Sequence, residues 1–166
     1  VPYNITYKLN KGKNNASNPS TYYGKKITLK NPSRKGYTFA GWYTSPAGGV
    51  KVSRQSKVAN KNITLYAHWT KVKVAKAKKP GVKSTSKKKA KVTIKRVKNA
   101  YGYQICYSTK KNMSGAKKKV TKKLTKTLTG LKSKKKYYVK VRAFKKDSTG
   151  NRVYGKWSAV KAVKIK

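Results

Sequence analysis

Residues 116–142, AKKKVTKKLTKTLTGLKSKKKYYVKVR, decide the fold, because lysine crowds the stretch without erasing the spacing of a folded β protein. Val120, Leu124, Leu128 and Leu131 punctuate the lysines, and Tyr137, Val139, Val141 and Ala143 then alternate with Tyr138, Lys140, Arg142 and Phe144. A period of two is that of a half-buried strand, one face in a core and the other in water. Runs of like charge usually mark disordered interaction tails. A disordered tail, however, has no physical reason to keep this alternation or the turn pair Thr129-Gly130. The expectation is a cationic surface carried on an ordinary β scaffold.

The whole chain extends that theme. Its 166 residues carry 46 Lys and Arg against one acidic residue, Asp147, for a formal net charge of +45. No salt-bridge network is available, and self-repulsion on this scale weakens the compact state. A hydrophobic content of 36% with 11% aromatic residues supplies enough core for one or two small domains. The arginines are Arg34, Arg54, Arg96, Arg142 and Arg152, and 46 less these 5 leaves 41 lysines. Arginine suits planar, bidentate recognition, whereas lysine is a hydrated point charge on a flexible stem. The bias therefore favours delocalised attraction to a polymer of negative charge. Cys106 is the single cysteine, so no intrachain disulfide can form. No apolar run approaches the roughly 18 residues that span a bilayer, and Val1-Pro2-Tyr3 lacks the charged-then-apolar pattern of a signal peptide. The expectation is a soluble chain that is a mature piece or an excised fragment.

Taken in order, Tyr3, Ile5, Tyr7 and Leu9 alternate with polar residues as a first strand. The Asn, Gly, Ser and Pro cluster at 11–20 is loop chemistry. A short run over 22–30 centres on Ile27 and Leu29, and Asn31-Pro32 closes it. The segment 36–43, GYTFAGWY, is the densest in aromatics and places Tyr37 and Phe39 on one side of a strand. Ile63, Leu65, Ala67 and Trp69 share the face of another. A basic bridge over 71–79 leads to Pro80-Gly81, where a domain boundary is expected: a first module at 1–73, a linker at 74–80 and a second module at 81–166. Residues 1–73 hold 12 Lys and 2 Arg, or +14, which leaves +31 of the +45 on residues 74–166. In that second part Val92 and Ile94, then Tyr103, Ile105 and Tyr107, then 137–144 and 157–165 read as short strands between turns, the pattern of a β-sandwich.

Two resemblances sharpen this. Arg34-Lys35-Gly36-Tyr37-Thr38-Phe39-Ala40-Gly41-Trp42-Tyr43, followed by Asn62-Ile63-Thr64-Leu65-Tyr66-Ala67-His68-Trp69, resembles the internalin-type B repeat, or Listeria-Bacteroides repeat, over about residues 3–70. The resemblance implies a small β-grasp-like module of secreted and surface proteins, a spacer or adhesion unit without catalytic residues. Acidic loop residues usual in that family are missing here. Residues 99–105, 131–137 and 137–143 resemble a fibronectin type III domain of the bacterial surface-protein kind over about 80–166. Leu131 and Tyr137 would form its tyrosine corner, and Ile94 stands where its second strand usually carries tryptophan. The resulting fold class is all-β, a small β-grasp-like module followed by a fibronectin type III-like β-sandwich.

Catalysis is disfavoured by arithmetic. One Asp, one His, one Cys and no Glu provide neither paired carboxylates nor a metal cluster, so no enzyme activity, metal, cofactor or small-molecule substrate is expected. His68 reads as a solvated strand residue, Asp147 as a turn former, and Cys106 as an inert, partly exposed thiol. Trp42, Trp69 and Trp157 read as core or domain-seam residues. The basic runs are the exception to the bland reading, because a solvated face normally intersperses acids and solubility needs far less charge. The candidate polyanion-binding residues are Lys87, Lys88, Lys89 and Lys91 in a first run, then Lys117, Lys118, Lys119, Lys122 and Lys123 in a second. A third run holds Lys132, Lys134, Lys135 and Lys136, and Lys140 and Arg142 extend the charge across a sheet face beside Tyr138. The expected partners are anionic polymers: teichoic acids or other envelope polyanions, or host sulfated glycosaminoglycans such as heparin. The protein is then a monomeric, secreted or cell-surface bacterial attachment module. An anionic membrane surface is a further partner the charge allows. Nucleic acid is the competing partner, although no helix-turn-helix or RNA-binding aromatic motif is present and arginines for base edges are few. A third reading is a natural surface module whose charge was raised in the laboratory.

Overall fold

The computed structural model describes residues 1–24, 27–53 and 60–166. Contacts divide them into two units, Val1–Val72 with Lys146–Asn151, and Lys73–Lys145 with Arg152–Lys166. Every regular element among the described residues is a strand.

The first unit contains β1 (Tyr3–Lys8), β2 (Thr21–Tyr22), β3 (Tyr37–Tyr43), β4 (Lys51–Val52) and β5 (Ile63–Lys71), in the sheet order β2-β1-β5-β3-β4. The first and last strands run parallel at the middle, Ile5 beside Ile63 and Tyr7 beside Leu65, which is the β-grasp-like arrangement. The core holds Ile5, Tyr22, Ile27, Leu29, Trp42, Leu65 and Ala67. Two features depart from simple alternation. Ile27 and Leu29 are buried without belonging to a strand, and positions 25 and 26 of the expected run 22–30 lie outside the described residues, as does Arg54. Phe39 and Trp42 are three apart yet both pack on the core, because the β3–β5 register shifts between Phe39 and Gly41. A bulge adds one residue and so returns the next side chain to the same face. Gly41 permits it at φ 145, where a Cβ would meet Lys51 Cε at 2.6 Å.

His68 is not simply solvated. Its Nε2 lies 2.9 Å from the Ser45 carbonyl and its ring stacks on Tyr43 at 4.0 Å. Asp147 is 7% exposed, and its carboxylate accepts from the N–H groups of Gly36 (2.8 Å), Thr149 (2.9 Å) and Asn151 (3.1 Å) and from the Thr149 hydroxyl. Burial by itself pushes this carboxyl's pKa up. The four hydrogen bonds to the charged form outweigh burial and hold it below its ordinary value.

The second unit is a two-layer sandwich. One sheet has the order β10-β7-β6, from β6 (Gly81–Ser86), β7 (Lys89–Thr93) and β10 (Thr125–Leu128). The other runs β12-β11-β8-β9, with β8 (Gly102–Ser108), β9 (Lys117–Thr121), β11 (Lys136–Lys146) and β12 (Arg152–Tyr154), while β13 (Lys161–Lys164) also pairs with β11. Between the sheets lie Val82, Ala90, Val92, Ile94, Ile105, Leu128, Val139 and Val141. Val74 and Ala77, from the stretch expected as a linker, pack on this core too. Leu131 is buried, and the Tyr137 hydroxyl accepts the Lys132 N–H at 3.1 Å: the tyrosine corner of a fibronectin type III-like sandwich. Ile94 fills its place in the core.

Three expectations fail here, each for a tertiary reason. Val120 is 39% exposed, since β9 ends its sheet and has a partner on one side alone. Phe144, read as outward-facing, is buried under Tyr101 (6.0 Å between rings) and Tyr154 (5.6 Å). Cys106 is 3% exposed rather than partly open. Its cross-strand neighbours are Lys118 and Lys140, and a small side chain between two long ones is shielded by their stems.

Candidate polyanion-binding surface

Within each sheet of the second unit the pairs β6/β7, β7/β10, β8/β9 and β8/β11 run antiparallel, and contacts between the connections bring three of them to one end. The Lys87-Lys88 turn between β6 and β7, the 109–116 loop between β8 and β9, and the 129–135 loop between β10 and β11 therefore gather together. Backbone hydrogen bonds tie them. Leu131 N–H donates to Lys88 O (3.0 Å), Lys88 N–H to Lys166 O (3.3 Å) and Lys134 N–H to Ile165 O (2.9 Å). The first and third lysine runs, forty-odd residues apart in sequence, thus form one cluster, joined by Lys164 opposite Lys136 and by Lys166. Lys110, Lys117 and Lys132 line a common pocket that links the second run to the cluster. Lys88 and Lys134 both adopt φ 59. Glycine would hold that left-handed conformation at lower cost, so ammonium groups occupy these turn tips in spite of the backbone.

The remaining candidates sit elsewhere. Lys118 and Lys119 stand exposed on edge strand β9 with Lys117, and the connection of Lys122 and Lys123 leads on to β10, the edge of the opposite sheet. Lysines at open edges also discourage pairing with another chain. Lys91 projects from β7 directly opposite Lys83, a like-charge pair that opposes folding and favours an anion across it.

Lys140 and Arg142, on the interior strand β11, are held differently. The Arg142 guanidinium lies 3.8 Å from the Tyr154 ring and 4.3 Å from Trp157, and its Nε donates to Gln104 Oε1 at 2.9 Å. Lys140 Nζ sits 5.0 Å from Trp157, Lys136 Nζ 5.9 Å from Tyr138 and Lys122 Nζ 4.5 Å from Tyr101. Aromatic faces stand in for the missing carboxylates. Among the described residues no group of three His, Cys, Asp or Glu side chains could hold a metal, and no helix is long and apolar enough to cross a membrane.

Sequence reading missed Lys110, Lys164 and Lys166 as members of the cluster. Counting strands and tracking the end at which each connection lies would have found them.

Comparison with known proteins follows the same division. Residues 3–68 match the family model of the Listeria-Bacteroides repeat domain (List_Bact_rpt), so the expected repeat is present in the first unit. Internalin H of Listeria monocytogenes serovar 1/2a (strain ATCC BAA-679 / EGD-e) is 49% identical over 41 residues, 24% of this chain and 8% of that protein's length. The sixth fibronectin type III domain of human fibronectin type III domain containing protein 3 aligns at 19% identity and TM-score 0.47, covering 58% of this chain and 89% of that one. The FN5 domain of Drosophila Lar aligns at 22% identity and TM-score 0.44, covering 56% and 97%. The sandwich assignment itself stands on the strand order and the tyrosine corner.

Proposed function

We propose that this chain is a non-catalytic, polycationic module of a secreted or surface-exposed bacterial protein, and that it clings to anionic polymers such as teichoic acids or sulfated glycosaminoglycans. The observation that carries this reading is the gathering of separate lysine runs at one end and edge of the second unit, with no carboxylate among them. Each exposed lysine contributes little alone, because water and salt screen it. A chain-like ligand engages many at once, and the small terms become avidity. The internalin-like repeat supports an extracellular setting, with attachment as the role.

The experiment is a salt titration against teichoic acid, heparin and double-stranded DNA. Counterion release makes the logarithm of affinity fall linearly with the logarithm of salt. Residues 74–166 carry +31 of the +45, so the Lys117, Lys118, Lys119, Lys122 and Lys123 to Gln variant of the full chain flattens that line. Salt-independent binding would sink the proposal, and a marked preference for DNA would transfer it to nucleic acid.

A further inference from the structure

The pocket at the cationic end differs from the surface around it. It has a volume of about 280 Å³ and is lined by Tyr107, Ser108, Lys110, Ser114, Lys117 and Lys132, with Tyr137 behind. Ligand pockets for drug-sized molecules start at about 300 Å³, so this one suits a single charged group with its immediate substituents and is too small for a length of polymer.

Its walls are fixed before any ligand arrives. Ser108 Oγ donates to Ser114 O at 2.8 Å and accepts the Lys110 N–H at 3.1 Å. Met113 N–H donates to Lys110 O at 3.0 Å, and Lys132 N–H to the Tyr137 hydroxyl at 3.1 Å. Loops tied in this way spend little ordering entropy on binding.

The second observation concerns Tyr107. It is 5% exposed, it lines the pocket, and its hydroxyl has no hydrogen-bond partner among the described residues. The ring is buried while the hydroxyl oxygen itself stays open to solvent, so the phenol is a free donor at the pocket wall. Burial, and then the nearby Tyr137, raise its pKa, so the group stays a neutral donor. This free phenol and three lysines, with no carboxylate, line this one small volume.

We infer that this pocket is a subsite for one tetrahedral oxyanion, a phosphate or sulfate ester, which anchors the polymer by hydrogen bonds while the surrounding lysines supply diffuse attraction. The inference rests on the polyanion reading and adds a stereochemical point of attachment to it.

The test titrates dimethyl phosphate and methyl sulfate into the full chain at constant ionic strength, following backbone amide NMR shifts. Saturable shifts confined to residues 108–117 and 129–132 are expected, and the tighter of the two probes identifies the ester class. Tyr107→Phe, which keeps the ring, weakens the better probe about tenfold, the loss of a hydrogen bond to a charged group. Lys132→Gln weakens it more than Lys118→Gln, an equal change of charge outside the pocket. Shifts spread evenly over all lysines, or a Tyr107→Phe chain that binds as well as the parent, overturn the subsite. Thermal midpoints of the variants report on folding. Should the phenylalanine variant prove unstable, the Lys132 and Lys118 pair decides alone. Polymer salt slopes run in parallel separate the two ideas: a normal slope without probe binding removes only the subsite, and probe binding without polymer binding removes only the polymer reading.

Discussion

Strands β9 and β11 flank β8 in the same sheet and both carry cations, yet the two sets of side chains lead different lives. On β9, Lys117, Lys118 and Lys119 are all exposed, whichever face they leave from. On β11, Lys140 and Arg142 are half-buried against Trp157 and Tyr154. The difference is position in the sheet. An edge strand at the sandwich border has water on several sides, so its ammonium groups keep their hydration and their mobility. An interior strand presents cations to a surface already furnished by neighbours, and in a chain with one carboxylate those neighbours are rings. Charge on β9 is available to a ligand, while much of the charge on β11 already has a partner.

The comparison is broken most directly by removing the same two methyl groups from each strand. Val141 is 0% exposed and Val120 is 39% exposed. Val141→Ala should cost about 2 kcal/mol through lost burial and a residual cavity, and Val120→Ala no more than about 0.5 kcal/mol. Chemical denaturation read by tryptophan fluorescence measures both. Equal losses would mean that β9 packs as β11 does.

A smaller effect separates the cations. Arg142→Ala should destabilise by about 1–2 kcal/mol, through two ring contacts and the unpaired Gln104 oxygen it leaves. Arg142→Lys should recover only part, since lysine keeps the charge and loses the planar fork. Replacing Lys117, Lys118 and Lys119 by Gln should leave stability unchanged or slightly improved at low salt, because repulsion is relieved. That improvement should shrink as salt shortens the Debye length from about 30 Å at 0.01 M to about 3 Å at 1 M.

The smallest effect is a pH dependence that neither strand shares. The folded pKa of Asp147 is depressed, so its contribution to stability is complete above the ordinary carboxylate range and is lost as pH falls through the folded value. Asp147→Asn should therefore have a lower thermal midpoint than the parent near neutral pH. The gap should close in acid, once the parent carboxyl is protonated as well. A gap that persisted in acid would assign the loss to shape rather than charge.

Much of this architecture was legible in the residues. Alternation through Tyr137, Val139, Val141 and Ala143 marked the core face of β11, and the resemblance to a fibronectin type III domain implied the corner of Leu131 and Tyr137 that the Lys132 N–H closes. Alternation states which residues share a face but not what later covers the other one. Phe144 and Cys106 were misread for that reason, and Trp42 reached the core through a bulge that no count by twos anticipates.

By itself the sequence determined that the protein is all-β, that charge is added to a scaffold, that almost no carboxylate is present to neutralise it, and that one half bears most of it. These are properties of composition and of contacts close along the chain. Only the tertiary structure decided which lysines are neighbours: Lys88 beside Leu131, Lys110 and Lys117 around the same pocket as Lys132, and Arg142 between two rings. Those arrangements arise when sheets stack and antiparallel connections return to a common end, which places residues far apart in the chain at hydrogen-bonding distance.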